Sequence, residues 1–192
     1  MTPWIVDLLA PVYDRVNHPW IVDPAKVVSL LELTGSERIL DVAGGTGAVA
    51  HAIVQATRAE VTVLDASAKM LSQVPKHRRL QTVHGIATSL PFQAESFDVV
   101  VCTSALHQLE PQNIVLAAMR RVLKPQGRLL IVDFDPLGLA GPVLSWSETL
   151  FKQGHQYLAQ PELEGMLREA GFVGRFAPFS LIQYAFLGSK DL

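Results

Sequence analysis

A glycine-rich turn between an apolar run and a helix-like segment constrains this chain more than any other feature. Ile39 to Val42 is apolar except for Asp41, and Ala43-Gly44-Gly45-Thr46-Gly47 follows it at once. Glycine permits positive φ and carries no Cβ, so the backbone can turn sharply and lie close to a ligand. Small residues at Ala48 to Ala50 predict a helix whose first N–H groups are free. The pattern predicts the first strand, ligand loop and first helix of a nucleotide-type α/β sheet.

Two classes of cofactor use such a loop. Gly45, Gly47 and Ala50 fit the dinucleotide fingerprint G-x-G-x-x-G/A, and an acid, Asp65, lies 18 residues past Gly47. Asp41 argues against a dinucleotide, because a carboxylate at the mouth of the loop would repel a pyrophosphate. A ligand that carries an ammonium and a sulfonium would welcome that acid. The string Leu-Asp-Val-Ala-Gly-Gly-Thr-Gly therefore resembles the first motif of the class I, seven-stranded methyltransferases that depend on S-adenosylmethionine (SAM).

Four further motifs follow in the order of that family. They are similar to its D-x-S-x-x-M-L (Asp65 to Leu71), G-D-A-x-x-L-P-F (Gly85 to Phe92), S-F-D-x-V (Ser96 to Val100) and L-K-P-G-G-x-L-x-I (Leu123 to Ile131). The resemblance covers roughly residues 37 to 135. The chain resembles the small-molecule type and the quinone-biosynthesis-like group, because Ala10 to Asn17 is similar to the A-x-x-Y-D-x-x-N stretch that leads into quinone-type C-methyltransferases and their relatives.

Strand-like and helix-like segments alternate along the chain, which indicates βαβ units and a doubly wound, Rossmann-like α/β fold. We expect strands near residues 38–42, 60–64, 80–84, 97–102, 128–133, 172–178 and 181–187. We expect helices near residues 24–33, 46–57, 67–74, 111–123 and 160–170. The resemblance implies a seven-stranded sheet of order 3-2-1-4-5-7-6, with strand 7 antiparallel.

A length of 192 residues fits one domain with a substantial core. We divide residues 1–192 into an N-terminal lid or cap segment (1–36), a SAM-binding core (37–133), an acceptor-site segment (134–159) and a C-terminal helix and hairpin (160–192). Segments outside the core of this family usually roof the acceptor site. The alternative is that they simply cover the edge of the sheet.

Charge and composition limit the partners. The net charge is −2 with no long basic run, so nucleic acid is a poor candidate substrate. The single cysteine, Cys102, lies in an apolar run and predicts a buried small side chain with no disulfide. The sequence has neither the basic start of a signal peptide nor an apolar run long enough to span a membrane. Its six histidines are not spaced as metal ligands usually are. We therefore expect a cytoplasmic protein that acts on a small molecule without a metal, and we assign no oligomeric state.

The resemblance assigns most of the cofactor site. Asp65 would accept hydrogen bonds from the ribose hydroxyls, the loop glycines would let the backbone approach the amino-acid part of SAM, and Asp41 would bind its ammonium or cap the loop. Ala66 and Met70 would pack on the adenine, although Met70 also suits the core. The complete set of predicted cofactor-binding residues is Tyr13, Asp41, Gly44, Gly45, Gly47, Asp65, Ala66, Met70, Gly85, Ile86, Ala87, Thr103 and Ser104.

Ile86 departs from the family pattern. The family usually has an acid after the glycine of Gly85-Ile86-Ala87, where it accepts from the adenine amino group. Ile86 cannot accept that hydrogen bond, so the contact is lost or passes to the backbone, Thr88 or Ser89. One missing neutral hydrogen bond is worth about 0.5–1.5 kcal/mol, so binding can survive it.

Two residues are candidates for the reaction zone. Tyr13 either closes over the donor, as the resemblance implies, or packs in the core. His107 follows the fourth predicted strand, where imidazole could take a proton from the acceptor, or could simply orient the loop. Quinone methyltransferases carry an F-G-x-R-N pattern at this place, whereas this chain has Ala105-Leu106-His107-Gln108.

The sequence thus predicts an enzyme that transfers a methyl group from SAM to a small or lipophilic acceptor by in-line displacement, with S-adenosylhomocysteine as product. Such an enzyme chiefly aligns donor and acceptor and excludes water. Two alternatives remain open: an NAD(P)-dependent oxidoreductase, from the loose glycine fingerprint, and a non-catalytic SAM-binding protein of the same fold.

Overall fold

The computed structural model describes residues 22–138 and 156–191. Seven strands, β1 to β7, span Arg38–Val42, Glu60–Asp65, Leu80–His84, Phe97–Thr103, Leu123–Phe134, Phe172–Pro178 and Gln183–Lys190. Within the described residues, five helices, α1 to α5, span Pro24–Leu31, Ala48–Ala56, Ala68–Leu71, Gln112–Val122 and Gln160–Glu169. The same residues include two 3-10 turns, at Ala87–Ser89 and Leu106–Gln108.

The strands form one sheet of order β3-β2-β1-β4-β5-β7-β6. β1 pairs in parallel with β2 and β4, β2 with β3, and β4 with β5, while β7 runs antiparallel to β5 and β6. The predicted Rossmann-like fold is therefore confirmed, including the reversed last strand. The carboxyl ends of β1 to β5 meet at one edge, which is where open α/β sheets bind their ligands.

Two apolar cores cover the two faces of the sheet because successive strand residues point to opposite sides. Leu40 and Val42 belong to the core that α4 and α5 cover, whereas Ile39 belongs to the core that α1 and α2 cover. The alternation places Asp41 on the same face as Ile39, toward α2. The central strands are almost continuously buried, as parallel strands with helices on both faces must be.

Part of the predicted lead-in belongs to this scaffold. The Asp23 carboxylate caps α1 by accepting from the Ala25 amide at 2.9 Å, and Pro24 occupies the first turn, where a missing N–H costs nothing. Val27 and Leu31 of α1 are buried in the core beside α2. Residues 1–21 lie outside the described part of the chain.

Three predicted boundaries were wrong. The helix expected over 67–74 is one turn, Ala68–Leu71, because Pro75 disfavours helical backbone at the residue before it. β5 begins at Leu123, which pairs with Phe97 before the register shifts to pair Val99 with Arg128. β7 begins later than expected, because the amides of Phe179 and Ser180 close the hairpin turn on the carbonyl of Gln183.

Cys102 is buried in the described structure, with a free thiol, as its apolar run predicted. In residues 22–138 and 156–191, no helix is long and apolar enough to cross a membrane. The same residues contain no group of three or more His, Cys, Asp or Glu side chains that could hold a metal ion.

Candidate active site

The loop from β1 to α2 is a tight turn built on left-handed backbone. Gly45 has φ +56°, and Gly47, the N-cap of α2, has φ +77°, both in the region that glycine adopts most easily. The Gly47 amide donates to the carbonyl of Gly44 at 2.9 Å, and the Gly44 amide donates to the carbonyl of Leu64 at 3.2 Å. The turn therefore crosses the carboxyl end of β2 and brings the start of α2 to the edge of the sheet.

Asp41 lies beneath this turn with its carboxylate buried and unsatisfied. Its side chain is 0% exposed, and neither carboxyl oxygen makes a hydrogen bond of normal length and angle, although the nearby amide of Ala50 acts to lower its pKa. Burial, together with the negative charge of Asp65, raises the pKa of Asp41 to about 7. A Cβ on Gly44 would lie 2.7 Å from the Asp41 carboxyl group, so glycine is required where the two pack together. A buried carboxylate without a donor is costly, and it is the arrangement that a cationic ligand would relieve.

Asp65 ends β2 and ties the loop to the next turn. Its Oδ2 accepts from the Gly45 amide at 2.9 Å and its Oδ1 from the Ser67 amide at 2.8 Å. Burial raises the pKa of Asp65, while these backbone donors and the nearby His84 act in the opposite direction. Each oxygen of a carboxylate has two lone pairs, so both Asp65 oxygens can still accept from a hydroxyl.

The other residues predicted for the adenosine side lie at the ends of β2 and β3. Met70 is 4% exposed, and its Cε lies 3.6 Å from the position of a Cβ on Gly45, so it packs under the loop. The Gly85 amide donates to the carbonyl of Asp65 at 3.1 Å. Ile86 is 56% exposed, a high value for so large an apolar side chain, whereas Ala87 is buried.

His84 belongs to this group, although the sequence gave no reason to select it. It pairs in register with Asp65 at the end of β3, and its Nε2 lies 2.9 Å from the carbonyl oxygen of Ala66. The sequence could not show that His84 lies beside Asp65, because that requires the β2–β3 register.

Thr103 and Ser104 lie on the other side of the loop, at the end of β4. Ser104 has φ +50°, an uncommon conformation for a residue with a Cβ, and its amide donates to the carbonyl of Val132 at 2.7 Å. Its Oγ accepts from the Nε2 of Gln183, at the start of β7, at 2.9 Å. Three strands therefore hold this strained residue in place.

His107 and Asp133 form a buried pair between the ends of β4 and β5. The Nδ1 of His107 lies 2.7 Å from Oδ1 of Asp133, and the His107 amide donates to Oδ2 at 2.9 Å. Both side chains are 4% exposed. Because a carboxylate only accepts, Nδ1 carries the hydrogen, and Nε2 is the basic nitrogen of the neutral ring. That nitrogen faces the side-chain amide of Gln108 at 3.0 Å.

Aromatic rings enclose this pair. Tyr157 stacks on the His107 ring with centroids 4.6 Å apart and an interplanar angle of 21°. Phe134 meets the His107 ring edge-on at 5.5 Å and Tyr157 at 6.0 Å. The Asp133 pairing and the Tyr157 contact were missed from the sequence, since 26 residues separate His107 from Asp133 and 50 separate it from Tyr157.

The structure thus gathers the predicted residues at the carboxyl edge of the sheet in two groups. The first surrounds the glycine loop between β1, β2 and β3, and the second surrounds His107 between β4 and β5. The residues of the first group fit SAM, because an unpartnered buried acid, a second acid with free lone pairs and a close-packed glycine cradle suit a ligand with a cationic amino acid and a ribose. Tyr13 lies outside the described residues.

The known sequences that this chain resembles are those of methyltransferases. A family model described as a methyltransferase domain matches residues 40–131. A ubiquinone/menaquinone biosynthesis C-methyltransferase of Syntrophotalea carbinolica is 33% identical over 88% of this chain and 84% of its own length. A demethylmenaquinone methyltransferase of Thermotoga maritima is 37% identical over 69% of this chain and 61% of its own length, so the chain spans about three fifths of that relative.

Comparison with solved structures supports the fold. A phosphoethanolamine N-methyltransferase of Haemonchus contortus, solved in complex with SAM, superposes with a TM-score of 0.76. The match covers 88% of this chain and 52% of that one at 16% sequence identity. A likeness at that identity shows a shared architecture and leaves the acceptor to be argued from the site itself.

Proposed function

Because this chain belongs to the class I SAM-dependent methyltransferases, we propose that it methylates a ring carbon of a lipophilic hydroquinone. The observation that carries the proposal is the buried His107–Asp133 pair, enclosed by Tyr157 and Phe134, at the carboxyl edge of the sheet. An imidazole held by a carboxylate among aromatic rings suits a flat apolar acceptor with a hydroxyl proton to lose. The quinone C-methyltransferases among its relatives favour the same acceptor class.

On the donor side, we assign Asp65 to the ribose hydroxyls and Asp41 to the ammonium of the donor's amino acid. The free lone pairs of Asp65 and the unpartnered oxygens of Asp41 support these roles. We assign the loop glycines, Met70, Ala66, Gly85 to Ala87, Thr103 and Ser104 to the walls of the donor pocket. When bound, SAM supplies the electrophilic methyl group.

On the acceptor side, we assign His107 Nε2 as the proton acceptor. Transfer of the hydroquinone proton to Nε2 would raise the electron density on the ring carbon that attacks the methyl carbon. As the new carbon–carbon bond forms, the bond between the methyl carbon and sulfur would break, which leaves S-adenosylhomocysteine. The ring carbon would then lose its own hydrogen as a proton to solvent, which restores the aromatic ring as a phenolate, and the imidazolium would return its proton to the phenolate oxygen. Asp133 would stabilise the imidazolium and hold its Nδ1–H, and Gln108 would have to move from Nε2 when the acceptor enters.

The domain assignment remains part of this proposal. Residues 37–133 would form the donor-binding core, and residues 134–159 would line the acceptor site, because Phe134 and Tyr157 at the two ends of that segment contact His107. Residues 1–36, with Tyr13, would complete the roof, and residues 160–192 would close the sheet. A nicotinamide dinucleotide is disfavoured by the Asp41 carboxylate under the loop.

The test is a methyl-transfer assay of the purified protein with SAM and four candidate acceptors. Two of them are the reduced and the oxidised form of a naphthoquinone that lacks the ring methyl group. The other two are a simple phenol and a primary amine. We expect S-adenosylhomocysteine and a C-methylated product from the reduced naphthoquinone alone, because the oxidised ring is not nucleophilic. Calorimetry should show binding of SAM and no binding of NAD. Methylation of the amine in preference to the hydroquinone would contradict the proposed acceptor.

A further inference from the structure

The last residues of the predicted acceptor-site segment, 156–158, return to the scaffold beside His107. The amide of Gln156 donates to the carbonyl oxygen of His107 at 2.9 Å, and the next side chain, Tyr157, stacks on the His107 ring. The hydroxyl of Tyr184, on β7, donates to the carbonyl of Leu158 at 2.9 Å. Residues 156–158 are therefore attached both to the turn that carries His107 and to the sheet.

One buried side chain links the two segments. Gln112 is the first residue of α4 and is 4% exposed, with the apolar Val115 and Leu116 on the same buried face of the helix. Its Nε2 donates to the carbonyl of Leu106 at 3.2 Å and to the carbonyl of Gln156 at 2.9 Å. Packing alone would be served by an apolar residue, because burial of an amide costs free energy unless it is hydrogen-bonded. Here both hydrogens of one amide go to two different segments.

These contacts fix both the turn that carries His107 and the segment that carries Tyr157. Gln112 holds the residue before His107 through the Leu106 carbonyl and holds the residue before Tyr157 through the Gln156 carbonyl. The stacking of Tyr157 on His107 therefore depends on the distance between the Leu106 and Gln156 backbones, which the Gln112 side-chain amide sets. A side chain that filled the same volume without donating would remove the Gln112 hydrogen bond from the Gln156 carbonyl, while the Leu106 carbonyl would keep its bond from the Leu109 amide at 3.0 Å.

We propose that Gln112 is a positioning residue of the acceptor site: it clamps residues 156–158 onto the His107 turn and so fixes Tyr157 against His107. The inference rests on the proposed function in that the clamped surface is the one assigned to the acceptor. The two hydrogen bonds of the Gln112 amide go to Leu106 and Gln156, on the acceptor side, so we assign its role to acceptor binding. It acts through Tyr157 and His107 rather than on the reacting atoms.

Hydrogen exchange tests the clamp without any acceptor. Gln112→Leu removes both donors, and Asn113→Leu makes the same kind of change at an exposed neighbour on the same helix. We expect exchange at Gln156 to Leu158 to be roughly threefold to tenfold faster in Gln112→Leu, with β4 and β5 unchanged, and to be unchanged in Asn113→Leu. Calorimetry should give the same SAM affinity for all three proteins. Unchanged exchange at 156–158 in Gln112→Leu would overturn the proposal.

A second variant, Gln112→Glu, controls for the case in which Gln112→Leu misfolds. Gln112→Glu keeps the size and polarity but points carboxylate oxygens at two carbonyl oxygens, so it should loosen residues 156–158 as well. A protonated carboxyl group can donate to one of the two carbonyls. The hydrogen-exchange rate of residues 156–158 in Gln112→Glu should therefore exceed that of the wild type by less as pH falls. A purely structural defect would not follow pH in this way, and an excess that is constant from neutral to acidic pH would contradict the clamp.

Steady-state kinetics with the reduced naphthoquinone then separates positioning from mere loss of folded enzyme. Gln112→Leu should raise the acceptor KM by roughly tenfold and leave the KM for SAM unchanged. Fewer folded molecules would lower kcat at constant KM, and that result would overturn the assignment to the acceptor site. If the wild type does not methylate the hydroquinone, the proposed acceptor is wrong, while the exchange measurements still decide on the clamp.

Discussion

The carboxyl group of Asp41 occupies the space that a Cβ on Gly44 would need. Such an atom would lie 2.7 Å from both Cγ and Oδ2 of Asp41, and 2.8 Å from Cγ1 of Val63. The buried acid and the glycine therefore fit each other, since the loop can pack against the Asp41 carboxyl group only because residue 44 has no side chain. The predicted donor site depends on this close packing.

The first prediction follows directly. Gly44→Ala should destabilise the fold by about 1–3 kcal/mol, because overpacking at a buried site forces its neighbours to move. It should also weaken SAM binding, since the displaced group is the Asp41 carboxylate. Denaturant unfolding and calorimetry measure the two effects. Gly165→Ala is the matched control: its Cβ would meet nothing within 4 Å, and it should stabilise α5 by about 0.5–1 kcal/mol.

The second prediction concerns Asp41 and pH. Its folded pKa of about 7 lies above the ordinary value of 3.8, so the ligand-free fold retains this proton more readily than the unfolded chain does. The ligand-free protein therefore loses stability as pH rises from about 4 to about 7, by up to about 4 kcal/mol. Asp41→Asn should be more stable than the wild type at pH 8, and the difference should shrink toward pH 4 in urea unfolding.

The same variant separates stability from binding. A bound ammonium requires the ionised form of Asp41, so SAM affinity of the wild type should fall as pH drops below about 7, by up to tenfold per unit. Asp41→Asn should bind SAM more weakly at pH 8 and lack this dependence. An Asn variant that binds as tightly as the wild type would show that the acid only caps the loop.

The third prediction concerns Asp65. Asp65→Ala should weaken SAM binding by about 1.5–3 kcal/mol, the usual range for hydrogen bonds to a charged group. Part of the loss will come from the loop, because the variant also releases the amides of Gly45 and Ser67. Asp65→Asn keeps an acceptor oxygen and should lose less. Equal titration curves for the wild type and Asp65→Ala would put the adenosine elsewhere.

The fourth prediction concerns the adenine side. Ile86 is 56% exposed, so Ile86→Asp should leave the free energy of unfolding within about 0.5 kcal/mol of the wild type. It should bind SAM as tightly as the wild type or more tightly by about 0.5–1.5 kcal/mol, because a carboxylate can accept from the adenine amino group. A large loss of affinity would mean that Ile86 packs on the purine ring and that the pocket is built around it.

The central strands were predictable from the sequence because they are short apolar runs, and the order of the sheet followed from the family resemblance. Val99 to Cys102 is a short apolar run typical of a buried strand, and the glycines after Val42 are typical of a loop. The predicted boundaries of strands were wrong where a tertiary contact determines them. Leu123 belongs to β5 because it pairs with Phe97, which is distant in the sequence and therefore cannot be inferred from the residues around Leu123.

The clustering of Asp41, the loop glycines and Asp65 was predictable, since these residues sit in local motifs. The surroundings of His107 were not predictable, because their contacts join distant segments. His107 meets Asp133 and Tyr157 only through the β4–β5 register and the return of residues 156–158. Gln112 looks like an ordinary polar residue at the start of a helix, and its burial between two carbonyls is set by a contact with residue 156, which is distant in the sequence.

The last prediction concerns proton transfer. Because Asp133 holds the Nδ1–H of His107, only Nε2 can accept a proton, and His107→Gln removes that nitrogen from its place. If His107 is the base, turnover of the hydroquinone should fall by ~10²–10⁴-fold while SAM affinity stays near that of the wild type. His77→Gln, at the turn before β3 and far from the carboxyl edge, should retain wild-type turnover. A loss of less than about tenfold in His107→Gln would mean that alignment alone carries the reaction. A simultaneous collapse of SAM binding would instead show that the His107–Asp133 pair holds the loop.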